Sequence, residues 1–69
     1  MNQLVSVIVP VYNHEKFIGT TIESIIAQSY ENWELLIVDD CSTDGSWRII
    51  QEYEKKDNRI RVFRNDVNK

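Results

Sequence analysis

The 69 residues hold a single cysteine, Cys41. One cysteine cannot form an internal disulfide, and no cysteine–histidine cluster offers a structural metal site. So short a chain buries a modest share of its surface, and without such staples its stability margin is thin. The same scarcity fits a reducing, cytoplasmic setting. Glycine is almost as rare, with only Gly19 and Gly45, which excludes the glycine-rich phosphate loops of dinucleotide and P-loop sites. No long apolar run exists. Leu4 to Val11 is interrupted by Ser6 and Pro10 and falls far short of the roughly 20 residues of a membrane-spanning helix. Met1-Asn2-Gln3 lacks the basic region of a signal peptide. Bases are scarce at first: residues 1–47 carry seven acids against Lys16 alone, while residues 48–69 carry seven bases against four acids. The net charge of −3 argues against nucleic acid as a partner. The basic run Lys55, Lys56, Arg59, Arg61 and Arg64 reads as a solvated helix end followed by an exposed strand face.

What is present is strongly patterned. Leu4-Val5-Ser6-Val7-Ile8-Val9 is β-branched and nearly continuously apolar, which suits a parallel-sheet strand buried on both faces. Pro10 cannot donate a ladder hydrogen bond, so pairing is expected to fade there. Tyr12-Asn13-His14 reads as a turn with Asn13 as a helix cap. Glu15 to Gln28 reads as a helix whose Phe17, Ile18, Ile22, Ile25 and Ile26 form one stripe, with Glu15 favourably placed in the first turn. Gly19 lowers helicity there and suggests close packing. Trp33 to Val38 is a second strand, followed by the polar loop Asp39-Asp40-Cys41-Ser42-Thr43-Asp44-Gly45-Ser46. Asp44 is suited to cap a second helix over Gly45 to Lys56 that buries Trp47, Ile50 and Tyr53. Asp57-Asn58 turns the chain into a third strand, Arg59 to Arg64, whose charged–apolar alternation marks an edge. Asn65 to Lys69 reads as a loop. The fold class is therefore α/β, β-α-β-α-β, with right-handed crossovers giving a parallel three-stranded sheet.

In open parallel sheets, ligands bind beyond the carboxyl ends of the strands. Here those ends carry Pro10-Val11-Tyr12-Asn13 and Asp39-Asp40-Cys41-Ser42, which parallel strands bring to one rim. An aromatic ring and a carboxylate there suit a nucleobase: the ring stacks, and the carboxylate accepts hydrogen bonds from base N–H groups such as those of uracil or guanine. Successive strand residues point to opposite faces, so Asp39 and Asp40 are not expected to chelate one ion together. One faces the ligand while the other ties down the loop. The lone His14 reads as solvated, and Trp33, Trp47, Tyr30 and Tyr53 as packing residues.

The segment Val5-Ser6-Val7-Ile8-Val9-Pro10-Val11-Tyr12-Asn13 and the later Leu36-Ile37-Val38-Asp39-Asp40-Cys41-Ser42-Thr43-Asp44-Gly45-Ser46 resemble the family 2 glycosyltransferases of the GT-A fold. Ser24-Ile25-Ile26-Ala27-Gln28-Ser29-Tyr30 also fits their first helix and its exit. The resemblance implies that residues 1–69 are the incomplete, nucleotide-binding first part of a single Rossmann-like GT-A domain. It also implies that Pro10, Val11, Tyr12 and Asn13 line the nucleotide with Asp39 and Asp40. Tyr12 stacks near the base, Asp40 hydrogen-bonds it, and Asp39 stands behind. Glu15 matches a recurrent acid of the first motif. Cys41 replaces the glycine or asparagine often found at its position.

The parent enzyme is then expected to transfer sugar, with inversion, from a UDP- or GDP-sugar to a saccharide or lipid-linked acceptor in cell-surface polysaccharide synthesis, on the cytoplasmic side of the membrane. Its divalent cation, magnesium or manganese, is held by a later Asp-x-Asp motif, and a still later acid is the base. This chain therefore supplies no catalytic residue and no metal ligand, and is expected to be inactive alone. The family's strand order 3-2-1-4 leaves strand one with an open edge, a route to self-association. Two alternatives are a phosphorelay receiver-like domain, suggested by the strand ending in Asp39-Asp40, and a non-catalytic nucleotide-binding module.

Overall fold

Five elements alternate along the chain: β1 (Val5–Val11), α1 (Ile18–Ala27), β2 (Trp33–Asp39), α2 (Ser46–Lys56) and β3 (Ile60–Arg64). The structure, a computed structural model, describes residues 3–65. Part of the Met1-Asn2-Gln3 segment and most of the loop at 65–69 lie outside the described residues. The three strands form one sheet in the order β1-β2-β3, parallel throughout, with Val11 paired to Asp39 and Asp39 to Arg64 at the carboxyl end. The β-α-β-α-β expectation and the edge position of β3 are borne out.

Both crossovers step the same way across the sheet, so their shared handedness places both helices on one face. The alternation on β2 records this. Trp33, Leu35, Ile37 and Asp39 are buried, while the residues between them are half-buried. Ile18 and Ile22 of α1 and Ile50 of α2 close over that face together with Val11 and Ile60. Each such aliphatic side chain contributes about 1.5–3 kcal/mol by leaving water. The helices are joined at their surface by the Tyr53 hydroxyl, which donates to Glu23 at 2.7 Å.

β1 departs from its expected burial. Ser6, Ile8 and Pro10 occupy the face that carries no helix, and Ile8 is 66% exposed. A buried-on-both-faces strand requires cover on both sides, and among the described residues only one side has it. Nor does pairing fade at Pro10, which lies in register with Val38. The reason is the alternation of backbone direction. Val5 donates its N–H to Asn32, and the Val11 carbonyl accepts from Asp40, so the odd residues of β1 address β2. Pro10 then turns its ring nitrogen to the open edge, where the missing N–H breaks no ladder bond.

Helix α1 starts at Ile18 rather than Glu15. The His14 carbonyl accepts from both Phe17 and Ile18, closing a tight turn that delays the helix. Asn13 does not cap it, and Phe17, expected on the buried stripe, is 66% exposed. A Cβ on Gly19 would meet only the Tyr53 hydroxyl, at an ordinary 3.6 Å, so close packing does not require the glycine.

The basic run is only partly solvated. Lys55 and Lys56 lie exposed in the last turn of α2, where cations complement the helix dipole. Arg59 instead forms a fork on Asp57 (Nε 3.0 Å, Nη2 2.7 Å) and covers the buried Trp33 ring at 3.8 Å. Arg64 turns onto Asp39. Among the described residues no helix is long and apolar enough to cross a membrane.

Candidate functional site

The loops leaving β1 and β2 emerge side by side. Val11 and Asp39 are the last register pair of the two strands, and Asp40 donates its N–H to the Val11 carbonyl at 2.8 Å. Tyr12 and Asp40 are therefore the first residues beyond the paired strands. Both continue the face that carries no helix. Tyr12 is 46% exposed, and Asp40 is half-buried.

A ladder of side chain to backbone bonds then locks the two loops together. Asn13 donates its N–H to Ser42 Oγ at 3.0 Å, and its Oδ1 accepts from the amides of Thr43 (2.8 Å) and Asp44 (3.3 Å). His14 donates its N–H to the buried Ser46 Oγ at 2.9 Å. Glu15 and the α2 entrance are bound reciprocally: the Glu15 N–H donates to Asp44 Oδ2 at 3.1 Å, and the Gly45 N–H donates to Glu15 Oε1 at 3.1 Å. Asn13 and Glu15 thus serve the neighbouring loop rather than the helix that follows them. Helix α2 starts at Ser46 with Gly45 as its N-cap and no side-chain cap bond. Asp44, expected to cap it, stands one residue earlier and closes the entering turn through Oδ1, which accepts the Ser46 N–H at 2.9 Å. Hydrogen bonding with Ser46, first through its side chain, holds the Asp44 carboxyl below its ordinary pKa.

Backbone strain is concentrated at the same rim. Asn13 (φ 52°) and Cys41 (φ 59°) are the non-glycine residues with left-handed backbone among those described. Asparagine tolerates that region well, whereas cysteine does so at a cost.

The adjacent aspartates separate as alternation requires. Asp39 is fully buried on the helix side. It accepts from the Ser42 N–H at 3.1 Å and from the Ser42 hydroxyl, and Arg64 Nε stands 3.4 Å from its Oδ2. Arg64 also donates to the Ser42 carbonyl at 3.1 Å. Asp39 therefore ties down the loop. Asp40 lies on the opposite face, where the Asn65 side-chain amide reaches its Oδ1 at 3.4 Å. Of the six residues expected at the site, Pro10 and Tyr12 present exposed side chains, and Asn13 is exposed but committed to the loop. Val11 is in the core and offers the rim only its backbone.

Charge at the rim is largely consumed. Glu15, Asp44 and Asp39 each accept backbone N–H groups of the two loops, whereas the Asp40 side chain, on the opposite face, accepts from the Asn65 side-chain amide at a long 3.4 Å. The two aspartates face opposite ways, and among the described residues no three histidine, cysteine or acidic side chains converge as a metal site would need. These residues do not fit a divalent cation.

Arg64 and Asn65 were not identified from the sequence as site residues. The signal was present for Arg64. Ile60, Val62 and Arg64 fall on one face at period two, the face whose first member is fully buried, and a cation ending such a row implies a carboxylate beside it.

Comparison with known proteins places this chain in a family. The model of glycosyl transferase family 2 matches residues 6–69. TuaG of Bacillus subtilis (strain 168), a glycosyltransferase assigned by its name to teichuronic acid biosynthesis, is 56% identical over 59 residues, covering 86% of this chain and 23% of TuaG. The S. aureus TarS 1-349 structure in complex with UDP-GlcNAc superposes with a TM-score of 0.85 at 38% identity, covering 96% of this chain and 19% of that one. The mannosyltransferase PcManGT from Pyrobaculum calidifontis, in complex with GDP-Man and Mn2+, gives a TM-score of 0.84 at 26% identity, covering 94% and 20%. The chain thus spans about a fifth to a quarter of these three proteins.

Proposed function

Because this chain belongs to glycosyl transferase family 2, we propose that it forms the nucleotide-binding part of an enzyme that moves sugar from a nucleoside-diphosphate sugar to an acceptor. The observation that carries this reading is the placement of exposed Tyr12 beside Asp40, the first residues beyond the paired ends of β1 and β2. Tyr12 supplies a stacking face, and Asp40 accepts the N–H of a uracil or guanine edge. Pro10 shapes the floor beside the ring. Asn13 and Asp39 hold the two turns that present these groups. The TarS and PcManGT complexes, with UDP-GlcNAc and GDP-Man, support both candidate donors.

In this reading residues 1–69 are one part of a single GT-A domain, and the parent inverts the sugar it transfers. The divalent cation, magnesium or manganese, takes its ligands elsewhere, a reading supported by the opposed faces of Asp39 and Asp40. The catalytic base also lies elsewhere, so the chain alone does not turn over. The TuaG likeness supports a saccharide or lipid-linked acceptor of the cell surface, and the presence of a single cysteine, Cys41, a cytoplasmic setting. The open edge of β1, with Ile8 exposed beside it, supports self-association of the isolated chain, which light scattering at high concentration reads directly. No observation favours the receiver-like alternative over a family match spanning residues 6–69.

Titration of the 15N-labelled chain with UDP, GDP, ADP and CDP tests the reading. UDP or GDP is expected to shift the Tyr12 and Asp40 signals first. Equal shifts with all four nucleotides, or none, would remove it.

A further inference from the structure

β3 contributes to the rim through two successive residues that divide between the two aspartates. Arg64 is the register partner of Asp39 and meets its carboxylate on the helix side. Asn65, the next residue, donates its backbone N–H to the Asp39 carbonyl at 2.9 Å. That bond extends the β2–β3 ladder one step past the strand. The Asn65 side chain then falls on the opposite face, and Nδ2 lies 3.4 Å from Asp40 Oδ1. The orientation of this amide is fixed by chemistry, because an ionised carboxylate only accepts and the NH2 group must face it. Among the described residues, the Asn65 amide is the side-chain donor that Asp40 meets.

From this geometry we infer that Asn65 is a positioning residue for base recognition, a statement that rests on the nucleotide reading given above. A carboxylate at the end of a strand rotates about two side-chain bonds. A donor on Oδ1 restricts that rotation and leaves Oδ2 as the oxygen to accept from a ligand. Oriented in this way, Asp40 accepts the N3–H of uracil and repels cytosine, whose N3 is itself an acceptor. Asn65 touches neither base nor sugar; it acts through Asp40. The 3.4 Å separation is long for a hydrogen bond, so its effect is on selectivity more than on stability.

The measurement is the ratio of UDP to CDP affinity, by calorimetry or NMR titration of the chain. Asn65→Ala is expected to narrow that ratio about tenfold, chiefly by weakening UDP, with the β1–β2 amide signals unmoved. Asn65→Ser, whose hydroxyl is too short to reach, should behave alike and serves if the alanine variant folds poorly. Asn65→Gln restores the amide donor and should recover part of the ratio. In the unsubstituted chain, UDP should also shift the Asn65 side-chain NH2 signals. A ratio left intact in Asn65→Ala, or equal weakening of both nucleotides, overturns the role of Asn65 while leaving the nucleotide reading standing. An unsubstituted chain with no preference between UDP and CDP overturns that reading and this inference together.

Discussion

Gly45 stands against the Glu15 carboxylate, donating its N–H to Oε1 at 3.1 Å across 30 residues of sequence. A Cβ built on Gly45 would lie 2.9 Å from Oε2 and 3.2 Å from Cδ, closer than side-chain atoms settle. The φ of −81° at Gly45 is open to any residue, so what a side chain here would have to displace is the Glu15 carboxylate. Gly45→Ala is therefore expected to push Glu15 aside and lose the hydrogen bond, at a cost of about 1 kcal/mol. In a Glu15→Ala background the same change should cost distinctly less, because the clash and the bond are both already gone. Urea denaturation of the four chains in this cycle checks it. Equal costs in both backgrounds would show that the two residues are not coupled.

Cys41 follows Asp40 with left-handed backbone, φ 59°. For a residue with a Cβ this region costs about 1–2 kcal/mol, while glycine and asparagine occupy it readily. The glycine or asparagine common at this position in the resembling family thus has a backbone explanation. Cys41→Asn is expected to raise stability by about 0.5–1 kcal/mol, seen as a higher urea midpoint at unchanged slope. A lower midpoint would mean that the thiol's own interactions outweigh the relief of strain.

The alternating elements and their parallel order were legible because hydrophobic period and connection length determine them locally. Val5–Val9, Leu35–Val38 and the Ile18/Ile22 stripe needed no distant information. The start of α1 was not legible. Asn13 and Glu15 are residue types that favour helix starts, yet both direct their side chains to Thr43, Asp44 and Gly45, a pairing that no local spacing reveals. The open face of β1 escaped for a related reason: an apolar strand looks the same whether or not a second layer covers it. At the rim, strand alternation alone predicted that Asp39 and Asp40 face opposite ways, but not which of them ties down the loop. The row Ile60, Val62 and Arg64 signalled the part of Arg64, whereas that of Asn65 depended on a register that only the folded sheet supplies.

Asp44 connects the latch to acidity. Its carboxylate accepts from Ser46 and from the Glu15 N–H, and these bonds lower its pKa from 3.8, with the Ser46 side chain as the largest cause. A carboxylate whose folded pKa lies below the unfolded one contributes stability at pH above 3.8, and that contribution is lost as the pH falls through the lowered value. The Glu15 and Ser46 amide signals are therefore expected to titrate together below pH 3.8. Asp44→Asn should abolish that common inflection while the rest of the sheet is undisturbed. Independent titration of the two amides would separate them from Asp44.

Asp39 carries the largest predicted cost. It is fully buried, and its oxygens accept from the Ser42 amide and hydroxyl while facing Arg64. Asp39→Ala removes the acceptor from two donors and leaves the Arg64 guanidinium without its carboxylate. Arg64, 37% exposed on its side chain, can turn to water. The cost is therefore set chiefly by the two Ser42 donors left without an acceptor, and about 2–4 kcal/mol is expected, a large part of the stability of so small a domain. Asp39→Asn keeps the shape but sets an NH2 group where a carboxylate oxygen accepted, and about 1–3 kcal/mol is expected. Because Ser42 carries Asn13 through its hydroxyl, the damage should extend to the Tyr12 turn. Hydrogen exchange at residues 12–15 should accelerate in Asp39→Asn before the strands themselves loosen. If exchange there is unchanged while global stability falls, Asp39 supports the core alone and the two loops are held together by Asn13, Glu15 and Asp44.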